Sequence, residues 1–502
     1  MFSQVTFQKA LGGTWEEFAE SVQQTTDGGY IITGYWNEFR MYLVKTDING
    51  DTLWTKIYEG TKSDNGTSVQ QTIDGGYIIA GSTGSFGAGS SDVYLIKTDV
   101  MGNTLWLKTF GGSSYEGANS IQQTTDGGYI FTGLTASFGA GKSDVYLVKT
   151  NSSGIPIWTK TFGGTDDDQG YSVRQTNDGG YIISGTTSSF GAGYHDVYLI
   201  KTDIAGNIIW NKTFGGGVGN EFGYSVEQTV DGGFAVVGST NSFSSSDDIL
   251  LLKTDSNGNS LWTKTFGGTS DDDGSYFQQT NGGGFVIVGT TFSFGSGMND
   301  VCLFKTDSGG NTLWSKTYGG SDDDGGWCVT KTSDGGFVLG GYTDSFGSGV
   351  KDFYFIKTDS IGNSGCNETN PNLTVASPSI IITSPATQVS SGGVVGNPIT
   401  QTVSAGAVTP LCSTAGVHYL QNEKIEINIF PNPSNGKVNV QMSGYENVLM
   451  HVQVYNVLGV CIYQQTRTSE NPQIDLSSQP KGIYFYRVTT EKGVGAGKIV
   501  IQ

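Results

Sequence analysis

The chain has 502 residues, a formal charge of −19 and 77 glycines. That length leaves room for several domains. The charge excludes a nucleic-acid-binding surface, which needs clustered lysine and arginine. No run approaches the ~20 apolar residues of a membrane-spanning helix.

Residues Val5–Gly13, VTFQKALGG, open the chain directly on a strand. A repeat follows. Asp-Gly-Gly or a variant recurs at Asp27, Asp74, Asp126, Asp178, Asp231, Gly282 and Asp334, and a tryptophan recurs at Trp54, Trp106, Trp158, Trp210, Trp262 and Trp314, always 52 residues apart. A fixed period of this size indicates a propeller or solenoid. The fourth copy shows the unit. Strand a is Tyr171–Thr176, and Asp178-Gly-Gly makes a hairpin turn in which glycine supplies positive φ. Strand b is Tyr181–Thr187, strand c is Asp196–Thr202 (DVYLIKT), and strand d is Ile208–Phe214. Branched and aromatic residues bounded by Gly/Asn/Asp clusters are strand signatures, and no stretch sustains a 3.6-residue apolar period. Four antiparallel strands make one propeller blade. The glycines fall at the turns and read as hairpin chemistry.

The seventh copy reaches strand c at Asp352–Asp359 and has no strand d. The first residues match a strand d, so we expect Val5–Leu11 to pair with Asp352–Thr358 and close the ring. A closed ring hides sheet edges. The expectation is an all-β, seven-bladed β-propeller over 1–365.

Residues 367–417 hold five of the ten prolines and no aromatic, lysine or arginine. We read 366–422 as an extended Pro/Ser/Thr/Val-rich linker; a weak echo, SPATQVSSGG against NPITQTVSAG, points to short β-like pieces within it. Cys366 and Cys412 bracket it and are the candidate disulfide for an oxidising compartment. None of the five cysteines forms a C-x-x-C pair. Residues 423–502 read as a small β-sandwich, with strands at Ile425–Phe430, Lys437–Met442, Val448–Asn456, Val460–Gln465, Gly482–Thr489 and Lys498–Ile501.

The tail carries four motifs in order: Ile429-Phe-Pro-Asn-Pro-Ser-Asn-Gly436, Val454-Tyr-Asn-Val-Leu-Gly459, Ile474-Asp-Leu with Pro480-Lys-Gly-Ile-Tyr484, and Lys498-Ile-Val-Ile-Gln502. Together they resemble the type IX secretion C-terminal sorting domain (type A). The resemblance marks Pro431, Asn432, Pro433, Gly436, Gly459, Gly482 and Lys498 as its motif positions. It implies an Ig-like sandwich, the type IX secretion machinery as partner, and a secreted or outer-membrane-surface location. That family also needs an N-terminal export signal; none is visible, and we expect it to have been trimmed or missed. The repeats resemble extracellular propeller repeats that accompany such tails. Lys201–Trp210 is similar to the D-x-x-G-x-x-x-W run of quinoprotein-type blades, which implies a tryptophan packed between neighbouring blades and carries no cofactor residues.

Chemistry is sparse. The d–a loops hold Asp166-Asp167-Asp168, Asp271-Asp272-Asp273 and Asp322-Asp323-Asp324, and the b–c loops carry Ser-Phe-Gly-x-Gly around Phe86, Phe138, Phe190, Phe294 and Phe346. Clustered aspartates offer calcium its six to eight oxygens, and loop aromatics offer a sugar a stacking face. Against this, and more simply, Asp and Gly form turns, and the phenylalanines are anchors tucked between blades. His195 is the one histidine of the repeats, and Trp36-Asn-Glu38-Phe-Arg40 replaces the common loop in blade 1; Trp36, Glu38, Arg40 and His195 are candidate ligand contacts. No G-x-S-x-G, H-E-x-x-H or P-loop is present, and no catalytic residue is assigned. The sequence therefore points to a binding or adhesion module for polysaccharide or a surface protein. An extracellular glycosidase or lyase, with its site at the channel mouth, and a purely structural surface protein are the alternatives.

Overall fold

The computed structural model describes residues 4–37, 40–348, 350–390, 392, 394–396, 401–403, 407–413, 427–442, 450–456, 461–467, 473–490 and 493–502. All regular structure among them is β. The chain divides into two units, Met1–Ala415 and Gly416–Gln502.

The first unit contains seven five-stranded sheets in a propeller-like arrangement. In the fourth, the strands are Asp168–Gln175, Tyr181–Thr187, Asp196–Thr202 and Ile208–Gly215. Strands b and c match the sequence reading to the residue, whereas strand a starts three residues early. Strand c (DVYLIKT) is buried along its whole length because neighbouring sheets cover both its faces. The recurring tryptophan fills the seam between sheets: Trp106 packs edge-on against Tyr129 of the next sheet at 5.9 Å, and Trp158 against Tyr181 at 5.8 Å. Such pairs are worth ~0.5–1.5 kcal/mol beyond their area. The next sheet's turn accommodates the indole with a glycine; on Gly154, at φ 71°, a Cβ would lie 2.7 Å from the Trp106 ring.

The N-terminal strand, Phe7–Gly12, pairs antiparallel with Asp352–Thr358 as expected, from Phe7 opposite Lys357 to Leu11 opposite Phe353. Glu17–Gln24, the inner strand of the first sheet, packs on the first two strands of the last, Asp324–Lys331 and Phe337–Thr343.

The linker departs from its sequence reading. It is no free spacer: its short strands supply the fifth, outermost strand of every sheet. Glu368–Thr369 joins the sixth sheet, Thr374–Ala376 the fifth, Ile381–Thr383 the fourth, Gln388–Ser390 the third, Val394–Gly396 the second and Gln401–Val403 the first. Ala407–Ser413 then covers Phe7–Gly12 in the last. The segment thus runs once around the sheets in reverse order, a strap over edges that would otherwise stay open. Thr369, Ala376, Thr383 and Ser390 fall opposite Thr317, Thr265, Thr213 and Thr161, one step of seven residues per sheet. Hydroxyl pairs mark the register, Thr161 with Ser390 at 2.7 Å and Thr213 with Thr383 at 2.6 Å. Both ends of the strap meet Gln8: its amide donates to the Cys366 carbonyl, and its backbone lies opposite Cys412. Cys366 is disulfide-bonded, whereas Cys302 and Cys328 are buried free thiols.

The second unit has a three-stranded sheet (Ile427–Phe430, Lys437–Met442, Gln473–Asp475) and a four-stranded sheet (Cys461–Arg467, Met450–Tyr455, Gly482–Thr490, Gly493–Ile501). They share an apolar core that includes Val438, Val440, Val452, Val454, Tyr486 and Ile499.

Candidate functional site in the central channel

The seven inner strands surround one cavity of about 400 Å³. Each carries a β-bulge at the same level, after Ala19, Gly66, Ala118, Gly170, Gly223, Gly274 and Gly326. The bulge is why strand a of the fourth sheet begins before the uninterrupted apolar pattern does. It also re-aims the extra residue: Glu20, Thr67, Asn119, Tyr171, Tyr224, Ser275 and Trp327 in turn. Glu20, Thr67, Asn119, Tyr171 and Tyr224 line the cavity.

Three residues further on, the repeats carry a Gln-Gln pair that ties the strands together. The first glutamine accepts the N–H of the next sheet: Gln23 from Gln71 at 2.6 Å, Gln70 from Gln123 at 2.6 Å, Gln122 from Gln175 at 2.7 Å and Gln278 from Lys331 at 2.7 Å. The second glutamine accepts from the preceding sheet: Gln71 from Thr26 at 2.8 Å and Gln123 from Ile73 at 2.9 Å. Each bond contributes ~1 kcal/mol net, and together they hold the channel wall.

Against this background, five side chains stand out. In the fourth sheet Arg174 replaces the first glutamine, and a guanidinium accepts no hydrogen bond. It instead donates to the Val173 carbonyl at 2.8 Å, to Ser120 Oγ at 3.4 Å and, two sheets away, to the Tyr276 hydroxyl. Its carbon lies 5.9 Å from the Tyr276 ring centre. Tyr276 itself stands where the first five sheets have Ser21, Ser68, Ser120, Ser172 and Ser225. Glu227 takes the glutamine position in the fifth sheet and accepts the Gln279 N–H at 2.8 Å. Burial pushes its carboxyl up, while that N–H and the charges of Arg174 and Lys331 pull it back. Burial also lifts the Glu20 carboxyl to about 7 and the Tyr171 hydroxyl to about 12.

Aromatic groups gather towards the d–a loop end of the inner strands, two residues before the bulged positions. Phe18 stacks on Trp327 at 5.2 Å and on Tyr35 at 4.6 Å, and the Lys351 ammonium sits 4.4 Å from the Tyr342 ring centre. Phe222 stacks on Tyr224 at 5.7 Å, and Tyr224 meets Tyr171 edge-on at 5.1 Å.

None of the described sequence candidates for ligand or metal lines this cavity. His195 bonds Ser188 Oγ at 2.8 Å and lies 5.4 Å from Phe222. Arg40 pairs with Glu59 at 3.2 Å and lies 5.6 Å from the Trp36 ring centre; Glu38 lies outside the described residues. The aspartate triplets do structural work. Asp168 is buried and accepts from Ser189 Oγ at 2.7 Å and from the Gly164 N–H at 2.8 Å; Asp272 and Asp324 repeat this with Ser293 and Gly268, and with Ser345 and Gly320. Each abuts a carboxyl of the preceding sheet. A Cβ on Gly163 would lie 1.9 Å from Asp144 Oδ1 and 2.6 Å from Asp168 Oδ2, so only glycine fits there. Asp166 pairs with Lys142 at 3.2 Å, Asp167 accepts from Ser143 at 2.7 Å, Asp271 from the Asp247 N–H at 3.1 Å and Asp323 from Asn299 at 3.1 Å. The Asp322 N–H bonds Ser345 Oγ at 3.0 Å. Burial, with Asp247 beside it, pushes Asp273 up. Among the described residues no three acidic, His or Cys side chains are grouped to hold a metal ion. The loop phenylalanines are anchors: Phe86 stacks on Tyr94 at 5.8 Å, and Phe190 lies 6.0 Å from Tyr198.

In the second unit the tail motif fastens onto the last strand. Asn432 donates to the Lys498 carbonyl at 2.7 Å and accepts the Val500 N–H at 2.8 Å, and Ser434, just after Pro431-Asn432-Pro433, donates its N–H to Val500 at 2.8 Å. Gly436, at φ 99°, accepts from the Leu476 N–H at 2.6 Å. Gly482 opens the strand paired with Ile501, and Gly459 lies outside the described residues.

Residues 428–502 match the family described as the secretion system C-terminal sorting domain. No curated protein matches the chain. Two solved structures of the extracellular domain of BT4673 from B. thetaiotaomicron align with it. One, described as part of a one-component system, has 9% identity and a TM-score of 0.25 over 96% of this chain and 81% of that one; the other, described as part of a hybrid two-component system, has 9% identity and a TM-score of 0.23 over 98% of each. The sorting domain marks export to the cell surface or extracellular space and implies an encounter with the type IX secretion machinery. Among the described residues no helix is long and apolar enough to cross a membrane.

Proposed function

We propose that this secreted or surface protein is a binding module whose ligand, a polysaccharide or a surface protein, engages the central channel through its aromatic mouth. One observation carries the reading. Four of the seven repeats keep the glutamine pair that locks the channel wall, whereas the bulged positions carry Glu, Thr, Asn, Tyr, Tyr, Ser and Trp. Aromatic faces beside amides and hydroxyls suit a ligand that both stacks and hydrogen-bonds. The test is retention of the full chain on a polysaccharide array, with product analysis on each hit. Binding without cleavage, weakened about tenfold by Trp327→Ala, supports the module; absence of any hit counts against it.

The enzyme reading has its own support. Glu20 and Glu227, both pushed up by burial, line the same cavity as Tyr276. A carboxylic acid kept protonated near neutrality, with a second carboxyl nearby, is the equipment of glycoside hydrolysis. Release of oligosaccharides that stops in Glu20→Gln or Glu227→Gln would establish it and displace the binding module.

A further inference from the structure

We propose that the channel recognises an acidic saccharide, and that Arg174 binds the carboxylate of a uronate unit. The inference rests on reading the channel as a glycan site and names the ligand's chemical class.

Arg174 and Tyr276 are separate departures from the repeat, on sheets two apart, and the two side chains meet across the channel. Neither departure serves the wall. A glutamine at position 174 would accept the next sheet's N–H as Gln23, Gln70, Gln122 and Gln278 do, and arginine forfeits that bond. Arg174 exchanges that wall bond for one to Tyr276 across the channel, and a residue that breaks a repeated local rule in this way points to function.

The guanidinium is also incompletely used. Its three bonds leave two of its five N–H groups. Among the described residues no carboxylate lies within ion-pair distance of it; the ion pairs are made elsewhere. A half-buried cation with no carboxylate in ion-pair contact, only the charge of Glu227 further off, attracts an anion more strongly than one in water. Its planar fork matches a carboxylate's two oxygens, and Tyr276 holds the fork in place. The rest of the ligand would meet the amides of Gln23, Gln70 and Gln122, the Tyr171 and Tyr224 rings, and the Glu20 and Glu227 carboxyls, both of which burial pushes up towards their neutral form. One carboxylate per sugar among hydroxyls fits this lining better than a dense polyanion.

The test is titration of the full chain with oligosaccharides of galacturonate, glucuronate, mannuronate and guluronate, each against its neutral hexose counterpart. Arg174→Gln is the decisive variant, because it restores the residue of the other repeats and is expected to melt no lower than the parent. Expected is a preference for at least one uronate over its counterpart of about 30-fold or more. Arg174→Gln should abolish that preference, and Arg174→Lys, which keeps the charge without the fork, should weaken uronate binding about tenfold. Uronate binding unchanged in Arg174→Gln overturns the inference. So does neutral binding as tight as uronate binding, which leaves the channel-binding reading standing. Binding of peptides alone removes the inference and leaves a surface protein as the channel's ligand, and binding of neither saccharide nor peptide removes both.

Discussion

Replacing Gly282 by aspartate should stabilise the protein, and the size of the effect follows from the other six sheets. In the third sheet Asp126 accepts from Thr124 Oγ1 at 2.6 Å and from the Gly128 N–H at 2.9 Å, and it pairs with the nearly buried Lys149 at 2.9 Å. The sixth sheet keeps Thr280, Gly284 and Lys305 but lacks the acid, and among the described residues Lys305 has no ion pair. Gly282 has no positive φ, and a Cβ on it would meet nothing within 4 Å. Removing a glycine from such a position yields ~0.4–1 kcal/mol through the unfolded chain. A half-exposed ion pair adds ~0.2–1 kcal/mol, and a backbone hydrogen bond adds ~0.5–1 kcal/mol. The expected total is about 1–3 kcal/mol. With an unfolding entropy of ~2.1 cal/mol/K per residue over the first unit, that is a rise in Tm of about 1–3 °C by calorimetry. An unchanged or lower Tm would refute the reasoning. So would an equal gain in a Lys305→Met background, because the ion pair requires the two sites to be coupled.

Stability should peak at mildly acidic pH. Burial, with Asp324 beside it, raises the Asp300 carboxyl to about 6, and burial with Asp352 raises Glu17 to about 8. Groups raised above their unfolded values of about 4 contribute fully below pH ~4 and lose that contribution as pH climbs through 6 and 8. The urea midpoint should therefore fall between pH 5 and pH 9, and Asp300→Asn should remove about 1–2 kcal/mol of the fall; a flat profile would refute this. On the acid side burial pushes Asp126 up, but Thr124, Lys149 and the Gly128 N–H hold it at about 2; Asp178 and Asp231 behave alike. Their stabilisation is present above pH ~4 and disappears towards pH 2. Non-reducing peptide mapping should recover Cys366 joined to Cys412. Closing that loop of roughly 46 residues is worth about 4 kcal/mol in the chain-entropy account, and reduction should open 367–413 to proteases; an intact strap after reduction would argue against it. Gln122→Met should cost about 1–3 kcal/mol by leaving the Gln175 N–H without its acceptor.

Much of the first unit could be read directly from the residues. The fixed tryptophan period, the Asp-Gly-Gly turns and the DVYLIKT runs are each local, and each strand they mark is long enough to show its pattern. The pairing of Phe7–Gly12 with Asp352–Thr358 was legible because the chain opens with the strand its last repeat lacks. The sorting tail was legible from its four ordered motifs. The strap was not, because three-residue strands carry too little periodicity to stand out; only the SPATQVSSGG echo hinted at short β-like pieces there. The channel cluster was overlooked although its letters are plain. Arg174, Glu227 and Tyr276 stand out once the repeats are compared position by position, but nothing in one repeat says that Arg174 and Tyr276 will touch. Local chemistry therefore determined the strands, the turns and the destination, since each depends on residues close together in the chain. Which departures share one cavity, which aspartates are consumed in bracing loops, and where the linker lies were decided only by closing the sheets around a channel, because those contacts join residues tens to hundreds of positions apart.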